Sequence, residues 1–234
     1  MKCGFCKIEI RRELSVKEII RLERLYFNQC CSSCYEEILL FDERNKSVCK
    51  YCRKEITSNS KICLDCQIWQ KELADFKLNH YYLYQHNEQM KDYFKRYKFL
   101  GDIEMGKVFT KDIHEKLNDF TQKDYLIVPI PLSKKRLKER GFNQVEVFLD
   151  SCQIKTTSIL GKKKETKAQS QKSREERLLS KQPFYLKKGG KSTIHNRKVL
   201  VIDDVYTTGR TILHAYECLL QAKPLEIASF SLTR

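Results

Sequence analysis

A chain of 234 residues with 45 Lys+Arg against 30 Asp+Glu carries a formal charge of +15, and its length suits one α/β domain plus a small appendage. That charge favours polyanionic partners, although by itself it speaks of solubility and steering rather than of fold. No stretch reaches the roughly 18 consecutive apolar residues of a membrane span, and no apolar signal core follows the first charges, so a cytoplasmic protein without membrane insertion is expected.

The first landmark is cysteine. Nine of the eleven Cys fall within the first 66 residues, eight of them as Cys-x-x-Cys pairs: Cys3/Cys6, Cys31/Cys34, Cys49/Cys52 and Cys63/Cys66. At this spacing each pair hands two thiolates to one tetrahedral zinc, and two pairs close a structural site. Disulfides are the competing reading, disfavoured without an export signal. Cys3-Gly-Phe-Cys-Lys-Ile-Glu-Ile10 and Cys49-Lys-Tyr-Cys-Arg-Lys-Glu-Ile56 repeat one pattern, and each is followed by a second, plainer pair. A duplicated unit holding both halves of its own site predicts sequential pairing. One Zn²⁺ would take Cys3, Cys6, Cys31 and Cys34, and a second Cys49, Cys52, Cys63 and Cys66. A crossed arrangement stays open, and Cys30 competes with Cys31 for its place. Cys152 and Cys218 read as buried small hydrophobes.

Residues 1–68 are thus expected to form a double zinc-ribbon region, too small to bury much core, so that metal supplies most of its folding free energy. Within it Glu13–Tyr26 has the apolar spacing of a short amphipathic helix. Residues 69–78, with Trp69, Leu73, Phe76 and Leu78, read as a connector that docks on the next domain, which spans 79–234.

That domain opens with a β-prone run, Tyr81-Tyr82-Leu83-Tyr84. Asn87–Phe99 follows as a helix with Met90, Tyr93, Phe94 and Tyr97 inward and a basic outer face. Aromatics interleaved with bases suit single-stranded nucleic acid; an ordinary amphipathic helix with solvated lysines explains the same pattern. A second helix is expected over Ile103–Phe120. Leu126–Val128 is a buried strand that ends at Pro129 and Pro131. The basic stretch Leu132–Gln144 reads as a loop leading into a helix through Val145, Val147, Phe148 and Leu149. Gly161–Ser180, charged and poor in apolar residues, reads as a mobile loop, and Glu226–Leu232 as a closing strand.

Lys198–Leu213, KVLVIDDVYTTGRTIL, organises the rest. Four apolar residues, Val199–Ile202, run without alternation into Asp203 and Asp204, as in a parallel strand covered on both faces. A short turn, Thr207-Thr208-Gly209-Arg210-Thr211, then leads into a helix through Ile212, Leu213, Tyr216, Leu219 and Leu220. Backbone N–H groups at a helix N-terminus, close approach at Gly209 and threonine hydroxyls make a monophosphate cradle. Two neighbouring acids can accept hydrogen bonds from a pair of hydroxyls. Phosphate at one end and a diol at the other describe a ribose 5-phosphate. In an open α/β sheet ligands gather at the carboxyl ends of strands, which places the basic Leu132–Gln144 stretch beside this turn.

Four hydrophobics, two acids and Thr-Thr-Gly-x-Thr resemble the signature of type I phosphoribosyltransferases. Together with Val128-Pro-Ile-Pro-Leu-Ser-Lys134, Glu139-Arg-Gly-Phe-Asn-Gln144, the Thr166-x-x-Gln169 element and the N-terminal cysteines, the chain resembles the ComF family of late competence proteins over nearly its whole length. The resemblance implies a type I phosphoribosyltransferase fold, an open parallel sheet flanked by helices, behind zinc ribbons. It also implies a cytoplasmic role in DNA uptake during transformation, with single-stranded DNA and a helicase-like competence ATPase as partners. Asp203 and Asp204 would hold the ribose hydroxyls of 5-phosphoribosyl 1-diphosphate, Thr207, Thr208, Gly209 and Thr211 its 5-phosphate, and Leu132, Ser133 and Lys134 its pyrophosphate. Mg²⁺ would bridge diphosphate and hydroxyls. The Gly161–Ser180 segment would be a hood over the diphosphate, with Gln169, Arg174 and Arg177 as contacts, or else a plain surface loop. The family signature often has Glu-Asp where this chain has Asp203-Asp204, which bears on the diol contacts without forbidding them. No residue declares itself as a general base or a base-recognition pocket. Two functions follow: a DNA-uptake protein that binds the sugar phosphate as ligand or switch, and an active transferase onto an unidentified nitrogen acceptor.

Overall fold

The architecture comes from a computed structural model that describes residues 1–11, 16, 20, 25–44, 46–57, 60–73, 76–163 and 182–234. The expected helix at Glu13–Tyr26 and the hood residues Gln169, Arg174 and Arg177 therefore lie largely or wholly outside the described residues. No helix among the described residues is long and apolar enough to cross a membrane.

The centre is a parallel sheet of four strands in the order β1 (Asn79–Tyr84), β6 (Glu226–Thr233), β5 (Lys198–Val205), β2 (Tyr125–Pro129). β5 lies between two neighbours and is buried on both faces, which is why its apolar run does not alternate. Its residues still divide by parity. Leu200 and Ile202 enter one core cluster, and Val199 and Val201 the other. β2 is an edge strand, and it includes Pro129, which the sequence placed at the strand's exit. Ile130 donates to the Ile202 carbonyl at 2.9 Å. Alternation along the strand turns the Pro129 nitrogen away from β5, where no ladder bond is lost.

On the first face pack α3 (Glu88–Phe99), α4 (Thr110–Gln122) and α6 (Gln144–Ser151). Asn87 caps α3 by accepting from the Met90 N–H at 3.0 Å, and Met90, Tyr93, Phe94 and Tyr97 turn inward. The continuous helix expected from Ile103 is instead a 3₁₀ turn, Ile103–Lys107, followed by α4. Gly106 explains the break. A Cβ there would meet the Val147 side chain at 2.6 Å and the Tyr97 hydroxyl at 2.7 Å, so the backbone itself fills the gap between α3 and α6. The basic stretch read as a loop also folds, into the short helix α5 (Lys134–Arg140), capped by Ser133 and stopped by Gly141 at φ 84°. A small antiparallel pair, β3 (Leu160–Lys162) and β4 (Phe184–Leu186), stands beside α8 (Arg210–Leu220), with the short helix α7 (Gly190–Ile194) between β4 and β5.

The two cysteine units share one local fold. Cys3 N–H bonds the Ile8 carbonyl and Cys49 N–H the Lys54 carbonyl, each at 2.8 Å, and Lys7 and Arg53 both adopt positive φ. In each, a short helix follows the second pair's first Cys: α1 (Ser32–Glu36) and α2 (Leu64–Glu72). The units do not form a body of their own. The first packs on the α3/α4 face, where the Phe5 ring lies 6.3 Å from Tyr93 and from Phe109. The second packs on the opposite face through Trp69, Phe76 and Leu78, against α8. α2 runs unbroken across residues 68 and 69, so the connecting segment starts at Leu73.

Candidate functional site

A cavity of about 800 Å³ opens at the carboxyl ends of β2 and β5. Asp203, Asp204, Thr207 and Thr211 line it from the β5 side, and Leu132 from the β2 side. Thr208 and Gly209 lie in the same turn but outside the lining. Ser133 is 1% exposed and spends its hydroxyl on the α5 cap, accepting from the Arg136 N–H at 3.3 Å, and Lys134 also stands outside the cavity.

The cationic wall comes from Lys98 and Lys162, which the sequence left unassigned, and from Arg136 and Arg140 of the basic stretch expected beside the turn. Arg136 and Arg140 share one face of α5 by their i, i+4 spacing, a signal visible in the sequence once a helix is allowed there. Lys98, in the last turn of α3, reaches Asp204 with Nζ 2.8 Å from Oδ1. Gln144 donates from Nε2 to the other Asp204 oxygen and accepts from Arg140 at Oε1. Tyr97 fixes Gln144 further by donating to its carbonyl at 2.7 Å. Asn143 caps α6 and donates to the Ile130 carbonyl at 3.1 Å, which ties α6 to the end of β2.

The two acids differ. Asp203 accepts from the Asp204 N–H at 2.9 Å, and burial, reinforced by the neighbouring Asp204 charge, pushes its carboxyl up to about 7. Asp204 is the one with a cation against it. Burial also lowers His86, on the cavity rim, with Lys91 and Lys98 adding to the shift. The cavity lining combines carboxylate acceptors with guanidinium and ammonium groups, a chemistry matched to a polyhydroxylated phosphate ester.

The cysteines assemble into two tetrads, Cys3/Cys6/Cys31/Cys34 and Cys49/Cys52/Cys63/Cys66, with the four sulfurs of each within 4.8 Å of one another. Tetrahedral zinc with Zn–S of about 2.3 Å needs sulfurs about 3.8 Å apart. The Cys6–Cys31 and Cys52–Cys63 separations, 3.6 and 3.5 Å, suit that geometry. The donor set of four thiolates fits structural Zn²⁺. Cys30 stands outside the first tetrad and directs its thiol to the Cys31 carbonyl. The second tetrad is wholly buried, while the first is partly exposed. Cys152 and Cys218 are buried, as their sequence context suggests.

Residues 107–234 match the phosphoribosyl transferase domain family. The chain is 38% identical over 235 residues to competence protein ComFC of Streptococcus pneumoniae, with 100% of both chains covered. It is 30% identical over 236 residues to competence protein ComFC of Bacillus subtilis, covering 99% of this chain and 94% of that protein. A solved hypoxanthine phosphoribosyltransferase from Staphylococcus aureus aligns at 18% identity and TM-score 0.32, over 53% of this chain and 61% of its own.

Proposed function

Because the chain belongs to the ComF family of competence proteins and carries that family's phosphoribosyl transferase domain, we propose that it serves DNA uptake and that its main cavity binds 5-phosphoribosyl 1-diphosphate. The observation that carries the ligand is the order of groups around the cavity. Asp203 and Asp204 line it with Thr207 and Thr211 of the turn that follows, and Leu132, Arg136 and Arg140 line it from the β2 side. A ribose bearing phosphates at both ends matches that order. Mg²⁺ carried in by the diphosphate supplies charge neutralisation there.

Calorimetric titration of the zinc-loaded protein with this ligand and Mg²⁺ tests the reading. Binding that disappears in the Asp203→Ala/Asp204→Ala variant supports it, and no binding to the wild type removes it.

Single-stranded DNA and a helicase-like competence ATPase complete the proposed setting, in the cytoplasm. The net charge of +15 supports a polyanionic partner. DNA affinity resting on phosphate contacts falls linearly as log affinity against log salt, and a salt-insensitive affinity would count against it. The intact acid pair also favours a second reading, transfer of ribose 5-phosphate to a nitrogen acceptor. Loss of transformation in the same double variant, with folding and DNA affinity retained, distinguishes a catalytic or ligand-dependent role from DNA handling alone.

A further inference from the structure

The second cysteine unit grips the turn after β5. Trp69, three residues beyond Cys66 on α2 and 1% exposed, donates from Nε1 to the Thr208 carbonyl at 3.2 Å. Glu72, three residues further, pairs with Arg210 at 2.9 Å, and the Arg210 guanidinium lies 5.2 Å from the centre of the Trp69 ring. Both anchored residues belong to the stretch that follows Asp203-Asp204 and opens α8.

The direction of this grip matters. A trans peptide points its C=O and N–H in opposite directions. Holding the Thr208 carbonyl on Trp69 therefore turns the Gly209 N–H away from α2. The Arg210 side chain is drawn the other way, toward Glu72, while Thr207 and Thr211 line the cavity. The clamp thus sorts the turn into a ribbon side and a ligand side. Cys66, Trp69 and Glu72 follow one another at i, i+3 spacing on a helix of nine residues, so whatever fixes Cys66 fixes the clamp.

We infer that Trp69 and Glu72 are positioning residues for the 5-phosphate loop, and that through them metal occupancy of the Cys49/Cys52/Cys63/Cys66 site and sugar-phosphate binding are thermodynamically coupled. This rests on the reading of the cavity as a sugar-phosphate site. Coupling of this kind is reciprocal: metal in the tetrad tightens the phosphate loop, and ligand on the loop tightens the metal by the same factor.

The test uses the full chain loaded with zinc, in wild type and in Trp69→Phe and Glu72→Gln variants, with metal content measured throughout. Trp69→Phe keeps a ring but loses the donor; Glu72→Gln alters a half-exposed side chain and leaves the core intact. Ribose 5-phosphate and inorganic pyrophosphate with Mg²⁺ are titrated separately. The expected result is a fall of about tenfold in ribose 5-phosphate affinity in each variant, with pyrophosphate affinity unchanged. Saturating ribose 5-phosphate should also raise, by about the same factor, the chelator concentration needed to strip one zinc from the wild type, and this protection should vanish in Trp69→Phe. Equal affinities in wild type and variants, or equal losses for both ligands, overturn the coupling. A wild type that binds pyrophosphate but no ribose 5-phosphate overturns the sugar-phosphate reading beneath it.

Discussion

Lys98 and Asp204 form an ion pair at 2.8 Å between the last turn of α3 and the end of β5, with side chains only 17% and 8% exposed. The pair occupies one oxygen of the Asp204 carboxylate, so under the proposed sugar-phosphate binding a ribose hydroxyl would have to share or displace the ammonium. Removing one partner leaves the other charge poorly solvated. Lys98→Met should therefore lower stability by about 2 kcal/mol. The Lys98→Met/Asp204→Asn double variant should cost less than the sum of the singles, with a coupling of about 1 kcal/mol. Urea unfolding of all four proteins measures it; additive losses would mean that the contact contributes nothing to the folded state.

Asp203 gives stability a pH dependence whose sign can be worked out. Its carboxyl titrates near 7 in the folded chain against an ordinary 3.8, because it is buried and faces the Asp204 charge, with Lys98 and Lys162 only partly offsetting this. The folded state holds the proton more tightly than the unfolded chain does. The contribution is therefore fully present below about pH 4 and is lost as pH rises through about 7. Asp203→Asn should flatten the stability profile across that window and melt above the wild type at pH 8. Parallel pH profiles for the two proteins would contradict the assignment. The same variant should bind the sugar phosphate more weakly, since it gives up an acceptor for a hydroxyl.

The strand β5 and the turn that follows it were legible because their pattern is local. Val199–Ile202 needed only burial on both faces to run unbroken, and the acids and threonines follow within nine residues. The cysteine units were legible for the same reason, since each knuckle is a short turn and the repeat named its own halves. The cavity's cationic wall was legible only in part. Arg136 and Arg140 belong to the basic stretch expected beside the turn, but Lys98 and Lys162 come from α3 and β3, elements far from it in sequence that meet it only at the sheet edge. Lys98 looked like any solvated lysine on a basic helix face, and Ser133, in a stretch suited to anions, proved to be a helix cap. Nor could composition show that the two ribbons pack on opposite faces of the sheet. That depends on which face Phe5 and Trp69 find, a long-range packing outcome.

Metal analysis of protein never exposed to chelator should find two zinc per chain, and one after loss of either tetrad. The two sites should differ in cost. Cys52→Ser disturbs a wholly buried tetrad that shares its cluster with Trp69, Phe76 and Tyr216, whereas Cys6 is exposed. The melting temperature should therefore fall further for Cys52→Ser than for Cys6→Ser, by calorimetry with the remaining site of each variant zinc-loaded. An equal fall would show that the second ribbon adds no more to the phosphoribosyltransferase-type core than the first.

Gly209 is the position where the turn tolerates least. It sits at φ +76°, and a Cβ there would lie 2.2 Å from the Tyr206 hydroxyl oxygen and 2.5 Å from the ring carbon bearing it. Tyr206 cannot easily give way. It is 3% exposed, with the His80 ring 4.2 Å from its own and the Arg234 guanidinium 4.3 Å from its centre. The left-handed conformation alone costs a non-glycine residue about 1–2 kcal/mol, so Gly209→Ala should destabilise by at least about that much. Because the turn is freer to move than the tyrosine, sugar-phosphate affinity should fall with it. Tyr206→Phe offers the control. Its hydroxyl is buried with no hydrogen-bond partner among the described residues, so its removal should be close to neutral. Combined with Gly209→Ala it should recover only part of the loss, since the ring carbon still stands too close. Thermal unfolding and ligand titration of the four proteins decide the matter: full recovery would place the whole penalty in the hydroxyl clash, and no recovery would place it in the backbone and the ring carbon together.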